Sequence, residues 1–234
     1  EPFENQKNPG QGAFFTNSKI KNKLDLIEYD FDKMDSLMVP GDWNTQKEKL
    51  FYYEGTVWLK KSFNYEKHKN TNRVFVYFEA SNYETDVYLN GKKLGKHIGG
   101  FTPFNFEVTH LLKPEDNFLI VKVDNKRKKD AVPTVNTDWW NYGGVTRDVK
   151  LIETSETFIE DYFIQLDPKN DKRIIGELTL NGESKSQREV QISIPALKLK
   201  KKLYTNANGK VSIEINSNKI NYWSVENPFL YDVI

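Results

Sequence analysis

The residues best equipped for chemistry stand together at Asn136-Thr137-Asp138-Trp139-Trp140-Asn141-Tyr142-Gly143-Gly144. Two of the five Trp of the chain and one Tyr lie there beside a carboxylate and amides. A sugar ring is held where an aromatic face meets its apolar C–H patch and a carboxylate or amide grips neighbouring hydroxyls. Asp138 with Trp139 or Trp140, and Asn141 and Tyr142 alongside, supplies those residue types. The run lacks strand alternation and ends in a glycine pair, which places it on a loop entering a strand over residues 146–152. The same residue types also suit an architectural loop, with the aromatics capping a sandwich or packing against another domain and Asp138 capping a turn.

Other kinds of site find little support. His68, His97 and His110 are scattered without metal-ligand spacing, so no metal and no cofactor is expected. No Gly-x-Ser-x-Gly elbow occurs, and Gly99-Gly100 runs into Phe101-Thr102-Pro103 rather than a helix, so it forms no phosphate cradle. With no cysteine, disulfides, thiolate metal sites and a Cys nucleophile are excluded together. The net charge is +1, and neither half of the chain carries the basic excess that nucleic acid or an anionic membrane requires. The clusters Lys126-Arg127-Lys128-Lys129 and Lys198 with Lys200-Lys201-Lys202 read as solvated loop or edge-strand charges. The longest apolar stretch, Phe118-Leu119-Ile120-Val121, is far too short to span a membrane, and the opening residues show no signal-peptide pattern. The sequence is nearly silent on compartment.

The elements that must position the loop are strands. Val74, Val76 and Phe78 alternate with Phe75, Tyr77 and Glu79, and Leu119, Val121 and Val123 alternate with Ile120 and Lys122. Val190, Ile192 and Ile194, and Val211, Ile213 and Ile215, keep the same period of two. Each reads as a strand with one wet face. Asn90-Gly91 supplies the two left-handed positions of a type I′ hairpin turn. Arg147 reads as an ion-pair partner just inside the strand over 146–152. No segment makes an amphipathic helix of three turns, so the fold class is all-β. Aromatic residues, 14% of the chain, let a polar sequence with 38% hydrophobic residues build its core. A boundary falls near Glu153-Thr154-Ser155-Glu156. Residues 1–153 read as a jelly-roll β-sandwich and 154–234 as a small Ig-like or fibronectin-like β-sandwich.

Six stretches carry a family resemblance. They are Tyr53-Glu54-Gly55-Thr56-Val57-Trp58-Leu59-Lys60-Lys61-Ser62-Phe63, Phe78-Glu79-Ala80-Ser81-Asn82-Tyr83-Glu84-Thr85-Asp86-Val87-Tyr88-Leu89-Asn90-Gly91 and Gly95-Lys96-His97-Ile98-Gly99-Gly100-Phe101-Thr102-Pro103-Phe104. Asn117-Phe118-Leu119-Ile120-Val121-Lys122-Val123-Asp124-Asn125, Asn141-Tyr142-Gly143-Gly144-Val145-Thr146-Arg147-Asp148-Val149 and Trp223-Ser224-Val225-Glu226-Asn227-Pro228-Phe229-Leu230-Tyr231 complete the series. Together, and in this order, they resemble the jelly-roll and Ig-like domains that precede the barrel in glycoside hydrolase family 2. Asn141-Tyr142-Gly143-Gly144 is closer to the β-glucuronidase form of its loop.

The resemblance implies a parent enzyme that hydrolyses a terminal β-linked sugar with retention, as β-glucuronidases and β-galactosidases do. Their two catalytic carboxylates, about 5–5.5 Å apart, lie in a C-terminal barrel, and no Asn-Glu dipeptide like the family's acid/base motif occurs here. This stretch is therefore expected to hold no catalytic residue, to support the barrel of its own polypeptide and to lend a loop to the sugar pocket. The resemblance puts Asp138 at the position whose carboxylate contacts the terminal sugar, with Trp139, Trp140, Asn141 and Tyr142 around it. It leaves sugar identity and oligomeric state open. Two other readings remain: a free-standing carbohydrate-binding module, and a structural or adhesion β-sandwich with no sugar role.

Overall fold

Asn90 and Gly91 adopt φ of 52° and 81°, the left-handed pair that a two-residue type I′ turn requires. The chain therefore passes from β3 (Glu84–Leu89) directly into β4 (Lys92–Ile98), with Leu89 opposite Lys92. The Asn90 side chain does more than turn. Its Oδ1 accepts from the Phe118 amide at 2.9 Å and its Nδ2 donates to the Leu111 carbonyl at 2.8 Å, tying the hairpin tip to β6 (Asn117–Asp124).

The structure, a computed structural model, describes residues 31–68 and 72–234; the opening segment read for a signal peptide lies outside them. The described residues fall into two compact units, the first ending at Glu153 and the second running Thr154–Ile234.

The first unit is a jelly-roll β-sandwich. One sheet orders β1 (Thr56–Phe63), β6, β3 and β4, and the other orders β5 (Phe104–Glu107), β2 (Arg73–Phe78) and β7 (Val149–Thr154). The period-two pattern of β2 is realised as expected: Val74, Val76 and Phe78 are buried and pack with Val87, Leu89, Val121 and Val123. Trp43, on the single-turn helix α1 (Trp43–Gln46), joins that core. Asp42 caps this helix through the Thr45 amide at 2.7 Å.

β6 departs from the one-wet-face expectation. It lies between β1 and β3, so its second face is covered too, with Ile120 and Lys122 both buried. Ile120 has Lys60 and Tyr88 as cross-strand neighbours, and Lys122 has Trp58 and Asp86. The Lys122 ammonium stands 5.7 Å over the Trp58 ring, which itself stacks on Tyr88 at 5.9 Å. Long side chains on flanking strands thus dry a face that alternation alone marks as wet.

The second unit is the Ig-like β-sandwich. β8 (Phe158–Asp167), β9 (Asn170–Asn181) and β12 (Lys210–Asn216) form one sheet in the order β12-β9-β8, and β10 (Glu189–Ile194) pairs with β11 (Leu199–Tyr204). Its core is aliphatic and follows the sequence pattern: Ile192, Ile194, Val211, Ile213 and Ile215 close on Ile174, Leu178 and Leu180. Lys200, Lys201 and Lys202 lie exposed on β11, where Lys202 pairs with Glu189 at 2.8 Å. This basic cluster is the edge-strand charge it was expected to be.

Candidate functional site

The loop of residues 136–144 is built from its ends inward. At its glycine end, the backbone is pinned on two sides. The Trp43 amide donates to the Gly143 carbonyl at 2.9 Å, and the Gly143 amide donates to Asn44 Oδ1 at 2.9 Å. Asn82 and Gly144 exchange backbone hydrogen bonds of 2.8 and 3.2 Å. Glycine is needed at 143, because a Cβ there would lie 2.0 Å from Trp43 Cζ2 and 2.6 Å from Asn125 Nδ2.

Asn141 stands between these pins and is turned inward, 5% exposed. Its Nδ2 donates to the Asn125 carbonyl and its Oδ1 accepts from Asn82 Nδ2 at 3.1 Å. Asn125 answers with its own Nδ2 on the Asn141 carbonyl at 2.8 Å, while its Oδ1 takes the Gly55 amide at 2.8 Å. Sequence reasoning placed Asn141 among the groups facing a sugar. The fold instead uses its amide to hold the loop, because a buried irregular segment must find partners for its own backbone.

Asp138 is exposed, and no hydrogen bond reaches its carboxylate among the described residues. Trp139 beside it is 67% exposed and has no ring contact among the described residues. Trp140 diverges from Trp139: it packs on Phe51 at 4.9 Å, on Tyr52 at 5.5 Å and on Tyr142 at 6.2 Å. Tyr142 is itself partly exposed. The structure therefore brings Asp138 and Trp139 outward together, sets Trp140 and Tyr142 into an aromatic cluster, and takes Asn141 inside.

Phe51 and Tyr52 were not foreseen. They hang from Asn44, whose Nδ2 lies 3.0–3.2 Å from the carbonyls of Leu50, Phe51 and Tyr53, two donors shared among three acceptors. Tyr52 is 83% exposed at the tip of this turn. Three successive aromatics without strand alternation, Phe51-Tyr52-Tyr53, are the same kind of signal that marked the loop at Asp138. The rings of the cluster are tilted against one another, with interplanar angles of 53° for Phe51 and Trp140 and 44° for Tyr52 and Trp140. They form an apolar knob rather than one flat platform.

The basic run after β6 is also less idle than its composition implies. Arg127 donates to Glu54 and to two carbonyls of the loop. Lys128 pairs with Glu84, which Lys96 also contacts at 2.6 Å. Burial pushes the Glu84 carboxyl up, but the hydrogen bonds from Lys128 and Lys96 outweigh it and hold the group below its ordinary range. Arg147, expected as an ion-pair partner in a strand, lies exposed ahead of β7 and makes no ion pair among the described residues. Neighbouring Asp148 is the one that pairs, with Lys150 at 3.4 Å.

Chemically, this surface offers a carboxylate acceptor next to an indole face on a braced loop. Asp138 is the only acid of residues 136–144, and Glu54, which shares Arg127 with the loop, is taken by that guanidinium. Among the described residues no group of three or more His, Cys, Asp or Glu is arranged to hold a metal ion.

Residues 10–155 match the sequence family described as glycosyl hydrolases family 2, sugar binding domain, and residues 157–234 match glycosyl hydrolases family 2. A putative beta-glucuronidase of Formosa agariphila is 28% identical over 204 residues, covering 85% of this chain and 24% of that protein. A beta-glucuronidase of Bacteroides fragilis is 36% identical over 125 residues, 52% of this chain and 18% of its own length. A beta-galactosidase of Thermoanaerobacter pseudethanolicus is 30% identical over 155 residues, 63% of this chain and 21% of its own. The chain thus spans about a quarter or less of the curated relatives it matches. Among solved structures, the Bifidobacterium dentium beta-glucuronidase complexed with coumarin-3-O-glucuronide superposes with a TM-score of 0.71 at 26% identity, over 82% of this chain and 38% of that one. With the sugar-binding-domain match alone covering more than half of its residues, the chain belongs to glycosyl hydrolase family 2.

Proposed function

We propose that this chain is the non-catalytic N-terminal region of a retaining β-glycosidase of β-glucuronidase or β-galactosidase type. In this reading residues 1–153 are a jelly-roll sugar-binding domain and residues 154–234 an Ig-like domain. The two catalytic carboxylates lie in a C-terminal barrel of the same polypeptide, and Asp138 with Trp139 completes the pocket for the terminal sugar. The observation that carries it is the exposed Asp138 carboxylate, free of internal hydrogen bonds among the described residues, on a loop pinned at Gly143 and Gly144. A turn-capping aspartate would be enclosed by its own loop amides. The tilted cluster of Phe51, Tyr52 and Trp140 supports a second element of the reading. An apolar knob of this kind suits packing against the barrel better than stacking on a sugar, which takes a flat face.

The test is Asp138→Ala in the polypeptide that joins this chain to its barrel. Losing a hydrogen bond to a charged acceptor costs about 1.5–3 kcal/mol, so kcat/KM for a nitrophenyl β-glycoside falls roughly 10–150-fold. The melting temperature stays where it was. Unchanged catalysis with a lowered melting temperature would assign Asp138 to the architecture instead. Calorimetric titration of the 234-residue chain with oligosaccharides addresses the binding-module reading, which requires measurable affinity without the barrel.

A further inference from the structure

Arg127 behaves unlike the lysines around it. Its Nε donates to Glu54 Oε1 at 2.8 Å, its Nη1 to the Thr137 carbonyl at 2.7 Å and its Nη2 to the Trp139 carbonyl at 2.7 Å. Those two carbonyls flank Asp138 in sequence. One rigid fork thereby fastens the peptide plane before Asp138 and the one after Trp139, which confines the torsions of both residues between two fixed points. Glu54 takes the remaining edge of the guanidinium, so the cation is neutralised by an acid other than Asp138. The Arg127 side chain is 20% exposed, and its bond to the Thr137 carbonyl is part-buried. Asp138 and Trp139 stay exposed while the backbone that carries them is tied down.

We infer that Arg127, held by Glu54, is a positioning residue: it sets the loop so that the Asp138 carboxylate meets the sugar hydroxyl in a fixed orientation. This rests on the reading of Asp138 given above. The physical reason for the device is preorganisation. A carboxylate on a free loop must be ordered each time substrate arrives, and a misplacement of about 1 Å can cost on the order of a hundredfold in rate. Lysine cannot substitute, because a point charge with three rotating donors does not span two carbonyls and a carboxylate in one plane.

Two measurements test this, one of which is blind to sugar. In the 234-residue chain, 15N relaxation of Arg127→Gln is expected to lower the backbone order parameters of residues 137–140 from about 0.85 toward 0.6, with those of β9 unchanged. Arg127→Lys, which keeps the charge and a partner for Glu54, guards against a folding defect and should loosen the same residues to a lesser degree. In the polypeptide carrying the barrel, Arg127→Gln should lower kcat/KM roughly tenfold. Combined with Asp138→Ala it should add nothing further, because a positioning residue acts only through the group it positions. Losses that multiply in the double variant overturn the proposal, as do unchanged order parameters in both Arg127 variants. If Asp138→Ala alone leaves kcat/KM untouched while the order parameters fall, the clamp on the loop stands. The pocket reading of Asp138 then fails, and with it the functional half of this inference.

Discussion

Asn44, Asn82, Asn117, Asn125 and Asn141 are all buried in the first unit, whereas the buried polar side chains of the second are Asp167 and Thr205 among the described residues. The second unit closes an aliphatic core, and its long segment outside the strands, residues 217–234, is mostly exposed, so it has little use for buried amides. The first unit also carries long segments outside its strands, residues 41–53 with the single-turn α1 and 125–146 with the Asn82–Gly144 bridge, most of whose backbone groups have no ladder to join. Carboxamides, with donors and an acceptor on one short side chain, stand in for the missing strand. The difference teaches how an irregular loop is held in place: its backbone is fixed by buried hydrogen bonds to carboxamides that lie far from it in the sequence.

The sharpest way to break that comparison is Asn125→Ala. It leaves the Gly55 amide and the Asn141 carbonyl without partners in a buried place, and each such loss costs about 1–3 kcal/mol. The first unit should lose about 4 kcal/mol, read by urea unfolding through its tryptophan fluorescence. The corresponding truncation in the second unit, Ile213→Ala at a position 3% exposed, should cost about 3 kcal/mol as lost burial plus cavity, followed by far-UV circular dichroism. It should leave the resonances of residues 136–142 in place, which Asn125→Ala should not. An Asn125→Ala penalty well below that of Ile213→Ala would show that the amide braces are ornament rather than support.

A smaller effect sharpens the contrast between local and distant control inside the first unit. Gly91→Val puts a β-branched residue at φ of 81° and should cost about 1–2 kcal/mol. It disturbs only the β3–β4 hairpin, so the environment of Trp139 should not change. A melting temperature equal to that of the parent chain would mean that the turn tolerates a different geometry.

These contrasts follow what could be read before any fold was known. Period-two alternation places β2, β10 and β12 with the correct faces, because side-chain direction in a strand is a property of the strand itself. Asn90-Gly91 identifies its turn for the same reason: the conformational demand and the residues that meet it are adjacent. The absence of alternation likewise places residues 136–144 on a loop. The sequence could not say which way each member of that loop faces. Asn141 turns inward because Asn82 lies 59 residues away in the chain but within hydrogen-bond reach. The Gly143 amide is received by Asn44, 99 residues distant, and Arg127 finds Glu54 across 73. The second face of β6 is dry because of what stands on β1 and β3. Alternation and turn chemistry are written in neighbours along the chain and so survive in the sequence. The partners of an irregular loop are set by which strands the tertiary structure brings beside it, and that decided which groups Asn141, Trp140 and Arg127 meet.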